Sequence, residues 1–190
     1  MAGLLALSRG IDALTHFVGY HVRWLILAAV VVSTLNAFVR KLFDLSSNAW
    51  LEAQSLFFGI AFMMAAAYVL QKNAHVRIDV ISGRLAKRTR DWIDLFGHLF
   101  MLAPLTLIMI WLSVPFFAES FRSGELSNNA GGLPVWPFKL FVLLGFALLF
   151  IQMVSEVIKR VAVLSGALIE ESHDGTHAAA TLTAEMQEDK

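Results

Sequence analysis

Few side chains in this sequence lie where their chemistry would be either costly or useful. Glu52 falls one turn into a long apolar run, and Lys139 falls more than one turn into another. A charge at the midspan of a membrane helix costs roughly 2.5 to 3.5 kcal/mol, so each such group needs a partner, a route to water or a function. Three accounts are open: Glu52 and Lys139 pair across a helix interface, Glu52 meets Arg40, or each side chain snorkels separately to water. Glu156 precedes Lys159 and Arg160 by three and four residues, where an intrahelical pair accounts for it. His21 and His98 would sit at similar depth in two runs, and a pair of helix-borne histidines can hold a haem. Without a second such pair or a quinone-like polar pocket, interfacial histidines are the simpler reading. The chain has no cysteine, which removes thiolate nucleophiles, disulfides and Cys-ligated zinc or iron–sulfur centres together. No nucleophile and base pair, glycine-rich phosphate loop or metal cluster is found. No catalytic residue, metal ligand or cofactor is therefore assigned, and the chain is not read as an enzyme.

The elements that would carry these groups follow from composition. Hydrophobic residues make up 57% and charged residues 16%, against about a quarter charged in soluble domains. With 15 basic and 15 acidic residues, no net field points to nucleic acid as a partner. A bilayer core about 30 Å thick needs roughly 20 apolar residues in a helix. Four runs meet that length: 20–39, 49–70, 95–118 and 134–157. Lipid offers no partner to free backbone groups, so each run must be helical. The fold class is an all-α membrane protein with four transmembrane helices. The second connection holds Lys72, Arg77, Arg84, Lys87, Arg88 and Arg90, which places it, and with it both termini, in the cytoplasm.

Aromatic and basic residues mark the borders. Trp24 and Trp92 are expected at the inner interface and Trp50 and Trp136 at the outer one, while Trp111 is expected to pack among helices. Residues 1–19, with Leu4, Leu7, Ile11, Leu14 and Val18 at helical spacing, read as an amphipathic segment at the cytoplasmic face. A second such segment contains Ile78, Ile81, Leu85 and Trp92, with Arg84, Lys87 and Arg88 placed to meet anionic membrane lipids. Residues 20–160 form the four-helix domain, and 161–190 form a polar cytoplasmic tail with the composition of a disordered segment. The N-terminus is read as retained, since Arg9, Asp12 and His16 interrupt the apolar stretch that a secretory signal would need.

Contact surface is easier to find than chemistry. Ala29, Ser33 and Ala37 form a small-residue stripe on the first span, and Gly59 stands among alanines on the second. Close helix packing is the natural use of such residues, within this chain or with another. A self-sufficient ion-coupled carrier, or a small exporter built as a dimer of four-span chains, would need an acidic site deep in a span, and Glu52 is shallow. Pro104 is a candidate kink in the third span.

One stretch carries a family resemblance. WLEAQSLFFGIAFMMAAAYVLQKNAHVRID, from Trp50 to Asp79, resembles the signature region of the DctQ-type small membrane subunit of tripartite ATP-independent periplasmic (TRAP) transporters. Trp50 and Glu52 open the span, Gly59 lies in its middle, and His75 to Asp79 begin the basic connection. The segment GGLPVWPFK, Gly131 to Lys139, is similar to the family's entry into the last span. The resemblance covers roughly residues 20–160. It implies a bacterial inner-membrane scaffold that braces a large multi-span TRAP subunit carrying the sodium sites and solute path. It also implies a periplasmic substrate-binding protein that delivers an organic acid. Glu52 and the outer connection from Glu119 to Pro134 are contact candidates in that setting.

Overall fold

The computed structural model describes residues 2–44, 47–72, 87–129 and 132–165. Helix α1 is Ala2–Phe43, α2 is Asn48–Gln71 and α3 is Lys87–Phe96; a π-helical turn, Gly97–Leu102, leads into α4, Ala103–Ser123, and α5 is Trp136–Leu164. Four rods are long and apolar enough to cross a membrane, with α3, the π turn and α4 continuous as the third. Among the described residues the only pairing of β type is an isolated bridge between Leu126 and Pro134. The expected all-α architecture with four spans is what the chain adopts.

The rods extend past the apolar runs that nucleate them. Helix α1 has 42 residues, about 63 Å at 1.5 Å per residue, roughly twice the thickness of a bilayer core. The expected border at residue 19 is not marked by a break. No proline interrupts the segment, and an isolated helical glycine costs only about 1 kcal/mol. Gly19 also has a packing use: a Cβ there would lie 2.5 Å from the Tyr68 ring. Pro104 sits in the first turn of α4 behind the π turn, where the Ala103 N–H reaches back to the His98 carbonyl. Widening the helix just before a residue that cannot donate is a common way to absorb the lost bond. Gly124, with φ 62°, adopts the left-handed conformation that ends α4.

Helix α5 is the centre of the assembly. Helices α1, α2 and α4 all pack on it, and α1 also lies along α2. Ser8 near the start of α1 meets Ser155 near the end of α5, so the described chain ends share one end of the bundle, here the terminal end. The opposite, loop end holds the connection from α4 to α5. The second basic segment lies outside the described residues up to residue 86, as does the tail from 166; residues 161–164 belong to α5.

The packing inverts the soluble pattern. On α1 the buried residues are Ser8, Thr15, Val22, Ala29 and Asn36, and on α4 they are Thr106, Ser113 and Ser120. Each set repeats every seven residues, the spacing of helices that wrap gently round one another. Phe17, Trp24, Phe38, Phe100, Met101 and Trp111 are at least half exposed. Lipid is as apolar as leucine, so burying large side chains gains little, and small or hydroxyl-bearing ones let the backbones approach.

Candidate functional site

The charged groups gather at the two ends of the bundle. At the terminal end Asp12 is the hub. Its Oδ1 accepts from Gln152 Nε2 at 2.8 Å and from the Ser155 hydroxyl at 2.9 Å, and Lys159 Nζ lies 3.2 Å from Oδ2. Its backbone carbonyl accepts from Gln71 Nε2 at 2.7 Å, which ties in the last residue of α2. Lys159 also pairs with Glu156, the intrahelical contact expected from spacing. Arg160 does not complete that pattern. It crosses to Asp91 at 2.8 Å and Asp94 at 3.4 Å on α3, and both Arg160 and Asp91 are buried. Helices α1, α2, α3 and α5 are thereby joined through polar side chains at one end.

The loop end is built from local contacts. Lys139 is buried at 8% exposure. It donates to Glu125 and lies 4.1 Å from the centroid of the Phe116 ring. The Lys139 ammonium beside Glu125 holds that carboxyl below its usual range. Glu52 accepts from the Leu133 backbone N–H at 3.4 Å. Neither expected pairing of Glu52, with Lys139 or with Arg40, is formed: Leu133 and Glu125, both in the connection that follows α4, are the partners instead. Backbone bonds from Ser127 to the Leu133 carbonyl and from Val135 to the Glu125 carbonyl hold that connection. An open groove of about 310 Å³, lined by Asn48, Leu51, Glu52, Ser55 and Asn129, lies beside it.

The other singled-out residues divide between interior and surface. Gly59 meets α5, where a Cβ would stand 2.8 Å from the Phe138 ring. Ala29 is buried, Ser33 is half-buried and Ala37 is exposed. The buried line follows the seven-residue interval to Asn36 instead of the four-residue step to Ala37, because α1 winds along its neighbours. Ala29 and Ser33 also line a shallow groove of about 470 Å³ between α1 and α2, together with Gln54 and Ser55. Trp24, Trp50 and Trp92 are exposed, and Trp136 is half-buried with its ring edge-on to Phe121. Trp111, expected to pack among helices, is 76% exposed instead, since α4 turns only its hydroxyl line toward α5. Arg88 is exposed at the start of α3; Arg84 and the side chain of Lys87 lie outside the described residues. His21 is exposed and bonds the Phe17 carbonyl, whereas His98 belongs to the π turn, which packs on α5 rather than along α1. The two histidines are not brought together as a haem pair.

Asp91, Gln152 and Ser155 were not singled out by sequence, and Asp12 was noted only as an interruption of the N-terminal apolar stretch. Their signal was present as polar residues recurring at helical spacing inside or beside apolar runs: Ser8, Asp12 and Thr15 on α1, and Gln152, Ser155, Glu156 and Lys159 on α5. Spacing alone does not show that the two sets face each other across 140 residues.

Among the described residues no group of three or more His, Cys, Asp or Glu could hold a metal ion. What the arrangement offers is four rods joined by polar side chains at the terminal end, with α2 and α5 tied to the connecting segment at the loop end, and coated with apolar side chains. No curated protein and no solved structure matches the chain. A family model does, that of the DctQ component of tripartite ATP-independent periplasmic transporters, over residues 29–163. That match takes in α2 to α4, nearly all of α5 and about the last third of α1, well over half of the sequence, and the chain belongs to this family of multi-pass membrane transporter components.

Proposed function

We propose that the chain is the small scaffold subunit of a sodium-coupled, binding-protein-dependent importer of organic acids, and that it braces the large transport subunit in the bacterial inner membrane. The observation that carries this reading is how the surface is divided. Helices α1 and α4 bury only a narrow line each and leave Phe17, Trp24, Phe38, Phe100 and Trp111 outward. A brace needs that kind of surface, tied by the polar contacts at the two ends. The solute path and the sodium sites then belong to the large subunit, with solute choice resting on a periplasmic binding protein that reaches the loop end near Glu52 and Asn129. The charge distribution supports this orientation, with the termini and the α2–α3 connection in the cytoplasm.

The test is co-purification with uptake. Extracted in mild detergent, the chain should come out with a large multi-span subunit. Deleting it should abolish carboxylate uptake while the large subunit is still inserted. Transport by the purified chain alone in vesicles would instead support the self-sufficient exporter, and retained uptake after deletion would remove the bracing role.

A further inference from the structure

Around Asp12 the structure leaves three oxygens unanswered. Thr15 Oγ1, Gln71 Oε1 and Gln152 Oε1 are enclosed and have no hydrogen-bond partner. Thr15 and Gln152 are 0% exposed. Two of the three side chains are tied to one residue, since Gln71 and Gln152 each donate an amide N–H to Asp12, and Thr15 follows Asp12 by about one turn on α1. Asp12 and Lys159 are 26% and 30% exposed, so water reaches this end of the bundle beside the enclosed oxygens. The two amide oxygens only accept, and the hydroxyl can donate and accept.

We infer that the junction of α1, α2 and α5 beside Asp12 is a binding site for at least one tightly held water molecule. One water donates two hydrogen bonds and accepts two. It can therefore donate to Gln71 Oε1 and Gln152 Oε1 while accepting from the Thr15 hydroxyl, which answers all three groups at once. Buried waters typically make about three bonds of this kind. Turning the amides round does not remove the deficit, because each N–H is already committed to an acceptor on Asp12. A small monovalent cation would use the same oxygens, and the experiment separates the two. This inference is independent of the transporter reading, since it concerns only how three helices of this chain close on one another.

Thr15→Val removes the hydroxyl and keeps the shape. If the site holds water, the substitution deletes one of its bonds, and Tm of the full chain in detergent falls by about 2–4 °C. Thr15→Ser should keep the wild-type value. If the site is dry, Thr15→Val removes an unpaired buried hydroxyl, and Tm stays level or rises, which overturns the inference. Tm of the unsubstituted chain should be the same in sodium, potassium and choline chloride at equal ionic strength. A rise specific to one metal ion would assign the site to a cation and also overturn it. A high-resolution map should show solvent density within hydrogen-bonding reach of at least two of the three oxygens; side chains closed on one another without it would decide against water.

Discussion

The side chains of Arg160 and Asp91 at the terminal end are 8% and 6% exposed, while at the loop end the Glu125 side chain is 43% exposed and only that of its partner Lys139, at 10%, is shielded. The terminal contacts join residues as far apart as Ser8 and Ser155, and the loop-end pair spans 14 residues. One end thus closes the bundle across its whole sequence, and the other staples a connection onto the helix that follows it. Coulomb attraction is similar in kind at both ends, but water screens it unequally. The difference teaches that charged groups in this protein should be ranked by how far each is removed from solvent and by what sequence distance it closes.

The sharpest test of that ranking is Arg160→Met. It leaves Asp91 buried and without its cation, and breaking a buried pair by removing one partner costs about 3–5 kcal/mol. Thermal unfolding of the chain in detergent should show the largest Tm loss of any single charge removal. A second change, Asp91→Asn in the same background, should recover part of the loss by removing the stranded carboxylate. If Arg160→Met proves no more harmful than Lys139→Met, burial is not what distinguishes the two ends.

Asp12 ranks next, because it is buried less but accepts more bonds. Asp12→Asn keeps the shape and weakens the attraction to Lys159 and to the donors Gln152 and Ser155, at a cost of about 1–3 kcal/mol. A double-mutant cycle with Lys159→Met isolates the ion pair, and residues in one network usually couple by about 0.5–3 kcal/mol. Strict additivity would mean that the network is a crowd of independent contacts and not one joint.

The span count and the helical class were legible because both rest on length and hydropathy, which lipid enforces on any chain. Two features of the site were hidden for different physical reasons. The pairing of Glu52 and Lys139 was not readable because backbone donors and a local carboxylate in the connection competed for them, and neither a loop path nor its N–H directions follow from side-chain spacing. The terminal joint was hidden because Asp12 and Gln152 are ordinary polar residues until the helices bring them together. The stripe at Ala29, Ser33 and Ala37 shows an intermediate case: the choice of small residues was informative, but a four-residue step drifts off a seam whose period is seven. Trp111 went the other way, since an aromatic ring at midspan is as content against lipid or a partner as inside the bundle.

The mildest effect is expected where exposure is greatest, and pH is the tool for reading it. Glu125 has its carboxyl lowered from the ordinary value of 4.5 by the hydrogen bond from Lys139. A group with a depressed folded value binds its proton more readily when unfolded. It therefore contributes stability that is fully present above pH 4.5 and lost as pH falls through the lowered folded value. The loop-end staple should accordingly be intact at neutral pH and loosen only in acid, with salt shrinking the effect because water reaches Glu125. Amide hydrogen exchange at Ser127 and Val135, whose N–H groups close the connection, should rise between about pH 4.5 and the lowered value beyond its intrinsic trend. Glu125→Gln should flatten that excess and leave exchange at the terminal end unchanged. An acid response shared equally by both ends would show that they are coupled through α5, and the division drawn between a sequence-wide joint and a local staple would have to be given up.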